Sequence, residues 1–102
     1  FIQMLKTDNL SPSSNKNSIF KIRKNIDKID NQILHLLFLR KKEVSNIIKY
    51  KNKNQIIDKK RIYSLIKKLK SIGRKKKLES YLIDNVWKAI IKSFIRFEKS
   101  KF

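Results

Sequence analysis

Two cations in this sequence fall where apolar side chains are expected. Arg40 lies in helical register with Ile33, Leu37, Val44 and Ile47. Lys51, eleven residues on, returns to nearly the same angle at about 100° per residue. A cation on an apolar stripe is costly unless an anion meets it, and no acidic residue stands at matching spacing in that half of the stretch. The pattern points to an anion from outside the chain. Taken singly, each also fits a long side chain that snorkels from the edge of the stripe to water. Arg23 and Arg61 join them, because only five of the 27 basic residues are Arg and its planar fork suits a carboxylate. Arg61 stands in the first turn of a second helical stretch, beside its apolar face. Arg23 points about 100° away from Arg40, so it fits a partner chain's site better than one shared with Arg40 in its own. Arg74 and Arg96 lack such placement and read as surface residues. Glu98 follows Trp87, Ile91 and Phe94 at helical spacing and ends an apolar face with a carboxylate. It reads equally as an exposed last-turn Glu paired with a Lys.

Other chemistries find little support. His35 shares a polar face with Lys28 and Lys42 and has no second His or Cys near it in sequence, which argues against a metal ligand or a general base. The chain has no cysteine, no phosphate-cradling Gly loop and no nucleophile elbow. The reading calls for no metal and no cofactor.

The elements that would carry these residues are helices. A single Gly and a single Pro argue against a sheet of short strands and turns, and 102 residues make one domain. Residues 1–18 hold the Pro and a Ser/Asn cluster and read as a flexible leader, leaving 19–102 as the helical domain. Ile19, Ile22, Ile26, Ile29, Ile33, Leu36, Leu37, Val44, Ile47 and Ile48 predict one long helix over about 19–51. Such a helix is roughly 50 Å long, against a radius of gyration of about 13 Å for a compact monomer of this size. Its stripe therefore needs a second chain to cover it, and a dimer is expected. Asp58 is the expected N-cap of a short second helix buried through Ile62, Leu65, Ile66, Leu69 and Ile72, with Gly73 as its left-handed stop and a basic connection after it. A third helix of medium length starts near Glu79 or Ser80, continues to about Lys99, and buries Leu82, Ile83, Val86, Trp87, Ile90, Ile91, Phe94 and Ile95.

The net charge of +19 invites a nucleic-acid reading. Lys, Ile and Asn, all encoded by A/T-rich codons, make up nearly half of the chain, and Lys is spread along all of it. That pattern fits compositional drift better than a dedicated interface, and leaves only non-specific, salt-sensitive affinity for polyanions. No apolar run approaches the roughly 18 residues of a membrane span. The segment from Phe1 to Leu5 is too short for the apolar core of a secretory signal. The cytoplasm is the expected address.

These charges together resemble the all-helical class of chorismate mutase, over about residues 19–99. The resemblance is carried by IRKNIDKID (22–30), by LLFLRKKEV (36–44) with Lys51 beyond it, and by IIDKKR (56–61), similar to the family's Asp-x-x-Arg. IG (72–73) followed by KKLESYLIDNVWKAII (76–91) resembles the turn and third helix. The resemblance implies an all-α fold, a three-helix protomer intertwined into a homodimer with two sites. It implies that Arg40 and Arg61, with Arg23 of the partner subunit, hold the two carboxylates of chorismate, and it places Asp58 among the substrate-binding residues. Lys51 and Glu98 would be the catalytic pair flanking the ether oxygen as chorismate rearranges to prephenate, on the route to phenylalanine and tyrosine. A carboxyl group donates a hydrogen bond only when protonated, so the role implied for Glu98 requires its acid form.

The match departs from the family pattern at three points that touch the site. Ile62 stands where a Glu usually contacts the substrate hydroxyl, Phe94 stands where a Ser usually contacts a carboxylate (with Ser93 adjacent), and Glu98 is Gln in many members. The linker between Lys51 and Asp58 also looks about two residues short. These departures bear on catalytic rate more than on fold. They leave room for a non-catalytic or partner-assisted relative, beside the basic helical nucleic-acid-binding alternative.

Overall fold

The computed structural model describes residues 13–102. They form three helices in order: α1, Ser13–Ile48; α2, Lys59–Lys75; and α3, Ser80–Lys99, with one 3₁₀ turn at Lys53–Gln55 between the first two. The described fold is all-α, in the expected sequence of long, short and medium helices. By internal contacts the chain divides into two units, residues up to Leu39 and residues Arg40–Phe102.

Helix α1 begins at Ser13, within the segment expected as a leader. Residues 1–12 of that expected leader lie outside the described residues. Nothing after Pro12 breaks a helix, so the turns at 13–18 form although their side chains give no periodic apolar signal. In the first unit Ile22, Ile29, Ile33, Leu34, Leu36 and Phe38 are exposed, Leu34 to 64%. Among the described residues of this unit, no second element covers these side chains.

In the second unit α1 ends at Ile48, three residues before the expected end. The chain leaves it through turn hydrogen bonds from Tyr50 N–H to Ile47 O and from Lys51 N–H to Ile48 O. The 3₁₀ turn is fixed by the Asn52 N–H donating to Gln55 Oε1 at 2.7 Å. Asp58 caps α2 as expected: its Oδ1 accepts from the Arg61 N–H at 3.0 Å, satisfying an amide that the helix leaves unpaired.

Gly73 is not the stop of α2, which continues to Lys75. The left-handed residue is Lys77, with φ 61°. Leu78 N–H donates to Gly73 O and Lys77 N–H to Arg74 O, the double hydrogen bond of a Schellman ending. A lysine there costs about 1–2 kcal/mol relative to a right-handed position. Gly73 serves another purpose. A Cβ on it would run into the Ile83 Cδ1 and lie 3.2 Å from its Cγ1, so the missing side chain lets α2 approach α3 closely. Ile83, 5% exposed, and Ile56, 6% exposed, are the buried large apolar side chains among the described residues. At the surface of the same helix pair, Asp84 takes Lys88 at 2.8 Å and Lys70 of α2 at 3.3 Å. The hydrogen bond to Lys88, aided by Lys70, holds the Asp84 carboxyl below its ordinary value. That contribution is present above the ordinary carboxylate range and is lost as pH falls through the lowered value.

Gly73→Ala gains roughly 1 kcal/mol of helix propensity but overpacks a closed contact at a cost of about 1–3 kcal/mol. Denaturant titration is expected to show a net loss of about 1 kcal/mol, combining those two terms. Adding Ile83→Val removes the colliding methyl and is expected to recover part of that loss.

Candidate active site

The second unit encloses a cleft of about 190 Å³ whose lining is mostly apolar. Arg40 and Val44 from the last turns of α1, Ile62 and Leu65 from α2, and Ile91, Phe94 and Ile95 from α3 supply its walls. Five of the six candidate residues face it: Arg40, Lys51, Asp58, Arg61 and Glu98. The sixth, Arg23, belongs to the unit that ends at Leu39, where its side chain is half-buried.

Arg40 is the anomaly. Its Nη1 is buried and has no hydrogen-bond partner, a costly state for a guanidinium nitrogen. The Arg40 Cζ sits 4.3 Å from the centroid of the Phe94 ring. Burial, then the like charge of Arg61, push the Arg40 pKa below its ordinary value, and Glu98 opposes them. Arg stays protonated at any physiological pH even so. The consequence is a fixed positive charge with an unused donor on an apolar wall.

Lys51 and Glu98 form the other pole. Lys51 Nζ donates to Glu98 Oε1 at 3.4 Å. Glu98 is only 6% exposed, which removes the reading of a solvated last-turn Glu. Lys51 reaches the cleft by a different route from the one its spacing suggested: α1 has ended at Ile48, and the turn after it, not helical register, brings the side chain in. Asp58 is committed to capping α2 through Oδ1, and Arg61, three residues on, shares the mouth of the cleft while its side chain stays exposed.

Two lining residues escaped sequence reasoning. Ile56, 6% exposed, forms part of the wall from within a polar connection, where no period marks it. Phe94 was legible as an apolar position of α3 but not as the ring beneath Arg40, because that contact joins residues 54 apart. Among the described residues, no group of three His, Cys, Asp or Glu side chains gathers to hold a metal. None of the described helices is long and apolar enough to cross a membrane.

The arrangement is a cation-rich, apolar-walled cleft with no Ser, Thr, Cys or His among its lining residues. It suits an anion that must be held and polarised rather than attacked. Known proteins agree. The chorismate mutase type II family model matches residues 22–99. The chain is 36% identical over 86 residues to the bifunctional chorismate mutase/prephenate dehydratase of Buchnera aphidicola subsp. Schizaphis graminum (strain Sg), a match covering 82% of this chain and 22% of that relative. The chain therefore spans less than a quarter of that relative's length. No solved structure matches it. With three helices in the expected order and a family match covering both the Arg40 cleft and the helices around it, the chain belongs to the chorismate mutase type II family.

Proposed function

We propose that this chain is a chorismate mutase, an isomerase that turns chorismate into prephenate by Claisen rearrangement, in the cytoplasmic synthesis of phenylalanine and tyrosine. The observation that carries the reading is Arg40: a half-buried cation whose Nη1 is buried without a hydrogen-bond partner, beside Lys51 and Arg61, in a cleft with apolar walls. A dicarboxylate supplies the anion that the Arg40 Nη1 lacks.

The reaction breaks the ether C–O bond while a C–C bond forms, within one molecule, so it needs no external nucleophile, metal or cofactor. Catalysis then consists of holding the folded conformer and stabilising negative charge that grows on the ether oxygen. In this reading Arg40 and Arg61 grip carboxylates, and Lys51 turns from Glu98 to donate to the ether oxygen. Glu98 contributes a second donor in its protonated form. Asp58 acts through its cap, which fixes the first turn of α2 and with it Arg61.

The functional unit in this proposal is a homodimer. Exposed Ile22, Ile29 and Ile33 on α1 support it, since burying such side chains contributes roughly 1.5–3 kcal/mol each. Arg23 of the partner subunit would then complete each cleft. The apolar Ile62 and Phe94 in the lining favour one second reading, a mutase whose rate depends on a partner protein. Polyanion binding through the net charge of +19 would be non-specific and would fade with salt.

Purified protein is expected to consume chorismate and form prephenate; absence of turnover, alone or with partner enzymes, contradicts the proposal. Arg40→Ala should lower kcat/KM roughly tenfold to a hundredfold, the value of a charge-assisted hydrogen bond, while Arg96→Ala changes it less than about twofold, as surface substitutions do. Mixing inactive Arg23→Ala and Arg40→Ala subunits should restore activity, because a heterodimer holds one intact site. No recovery despite proven subunit exchange removes Arg23 from the partner's cleft. Glu98→Gln should keep or raise kcat/KM, since an amide donates a hydrogen bond without first gaining a proton; a loss as large as that of Arg40→Ala excludes Glu98 as a donor.

A further inference from the structure

The Arg40 side chain faces three penalties at once. It is withdrawn from water, Arg61 repels it, and its Nη1 lacks a partner. Arginine has several rotatable bonds and a strong preference for water, so an unrestrained guanidinium would swing out of the cleft. The Glu98 charge attracts it, and the direct contact that meets the guanidinium is aromatic. Its Cζ lies 4.3 Å from the Phe94 centroid, within the distance at which a ring's negative face attracts a cation, and desolvation strengthens that attraction.

The ring is itself held. Phe97, one turn along α3, meets Phe94 edge-on, with centroids 6.4 Å apart and planes at 75°, the favoured T-shaped arrangement. Phe97 in turn lies beneath Lys41, at 5.4 Å, and Lys101, at 5.2 Å. Consecutive cations of α1, Arg40 and Lys41, thus rest on two rings of α3 spaced three residues apart. Only the Arg40 contact opens into the cleft.

We propose that Phe94 is the positioning residue for Arg40: its ring face fixes the guanidinium in the cleft with Nη1 free, so that an incoming carboxylate meets a cation already in place. The identity of that carboxylate as chorismate rests on the mutase reading; the positioning role does not. A phenylalanine donates no hydrogen bond, so Phe94 acts through Arg40 and makes no polar contact with the anion. The substrate pays less to order the site, which is the general benefit of preorganisation.

The role has a kinetic signature. Arg40 contacts a carboxylate in both the bound and the reacting state, so loosening it removes uniform binding: KM rises while kcat changes little. Phe94→Leu, which keeps an apolar side chain but removes the ring face, should raise KM about 3- to 30-fold, the span of a cation–ring contact from exposed to desolvated. Phe94→Tyr keeps the ring and should stay within about twofold of wild type by the same argument. A packing role alone would instead show as lost helicity and as a loss of active protein, with KM unmoved.

Two readouts stand apart from turnover. The Arg40 Hε resonance, assigned by its disappearance in Arg40→Lys, should be shielded by the ring current in wild type and Phe94→Tyr, and should shift downfield in Phe94→Leu. Titration with isophthalate, an unreactive dicarboxylate, should show the same order of affinities. Circular dichroism checks folding first, and Phe94→Met takes the place of Phe94→Leu if helicity is lost. A wild type that converts no chorismate removes the mutase reading, and the resonance then decides the positioning role by itself. An Arg40 resonance indifferent to the ring, or equal KM values for Phe94→Leu and Phe94→Tyr, overturns the proposal.

Discussion

A guanidinium held on the wall of an apolar cleft is the constraint around which the second unit is organised. Arg40 has to be kept out of water although burial and Arg61 both disfavour its charge. Val44, Ile91, Phe94 and Ile95 line the cleft beside it, and the Phe94 ring joins the end of α1 to α3 through Arg40. Packing and charge placement are therefore one structural problem here. The same burial that makes the cation costly makes it effective, because a charge in a region of low dielectric acts strongly on whatever anion reaches it.

Each remaining part of the cleft depends on local backbone chemistry. The Asp58 cap starts α2 at the turn that carries Arg61. The bare Cα of Gly73 lets α2 and α3 close together around Ile83. The turn after Ile48 delivers Lys51 to Glu98, and these two partner each other. A substrate that draws Lys51 away would leave Glu98 nearly enclosed, 6% exposed, in surroundings that disfavour a bare charge.

Much of this was legible in the sequence because helices write their period into it. The Asp58 cap, the odd charges at Arg40 and Glu98 and most of the faces of α2 and α3 follow from spacing, but Ile72, Leu82 and Val86, expected in those buried faces, are exposed because no other described element covers them. The errors share a cause: a local pattern was given a local explanation. Gly73 looked like a left-handed stop because glycines often are, but its reason is Ile83, ten residues on. Lys51 lines the cleft, but not through helical register, since angular arithmetic assumes that the helix continues. Ile56 carries no period inside KNKNQII, and the Phe94 contact is tertiary. The early start of α1 at Ser13 was hidden by polar residues that neither break a helix nor mark one.

A site built this way should trade stability for function, since a polar group kept buried for a ligand burdens the free protein. The most direct measurement is the unfolding free energy of Arg40→Met beside wild type, each with and without a dicarboxylate ligand. Met fills similar space with no charge and no donor. The account predicts that the free variant is at least as stable as wild type, and that the ligand stabilises wild type alone. A free Arg40→Met protein clearly less stable than wild type, or one stabilised by the ligand to the same degree, would contradict it.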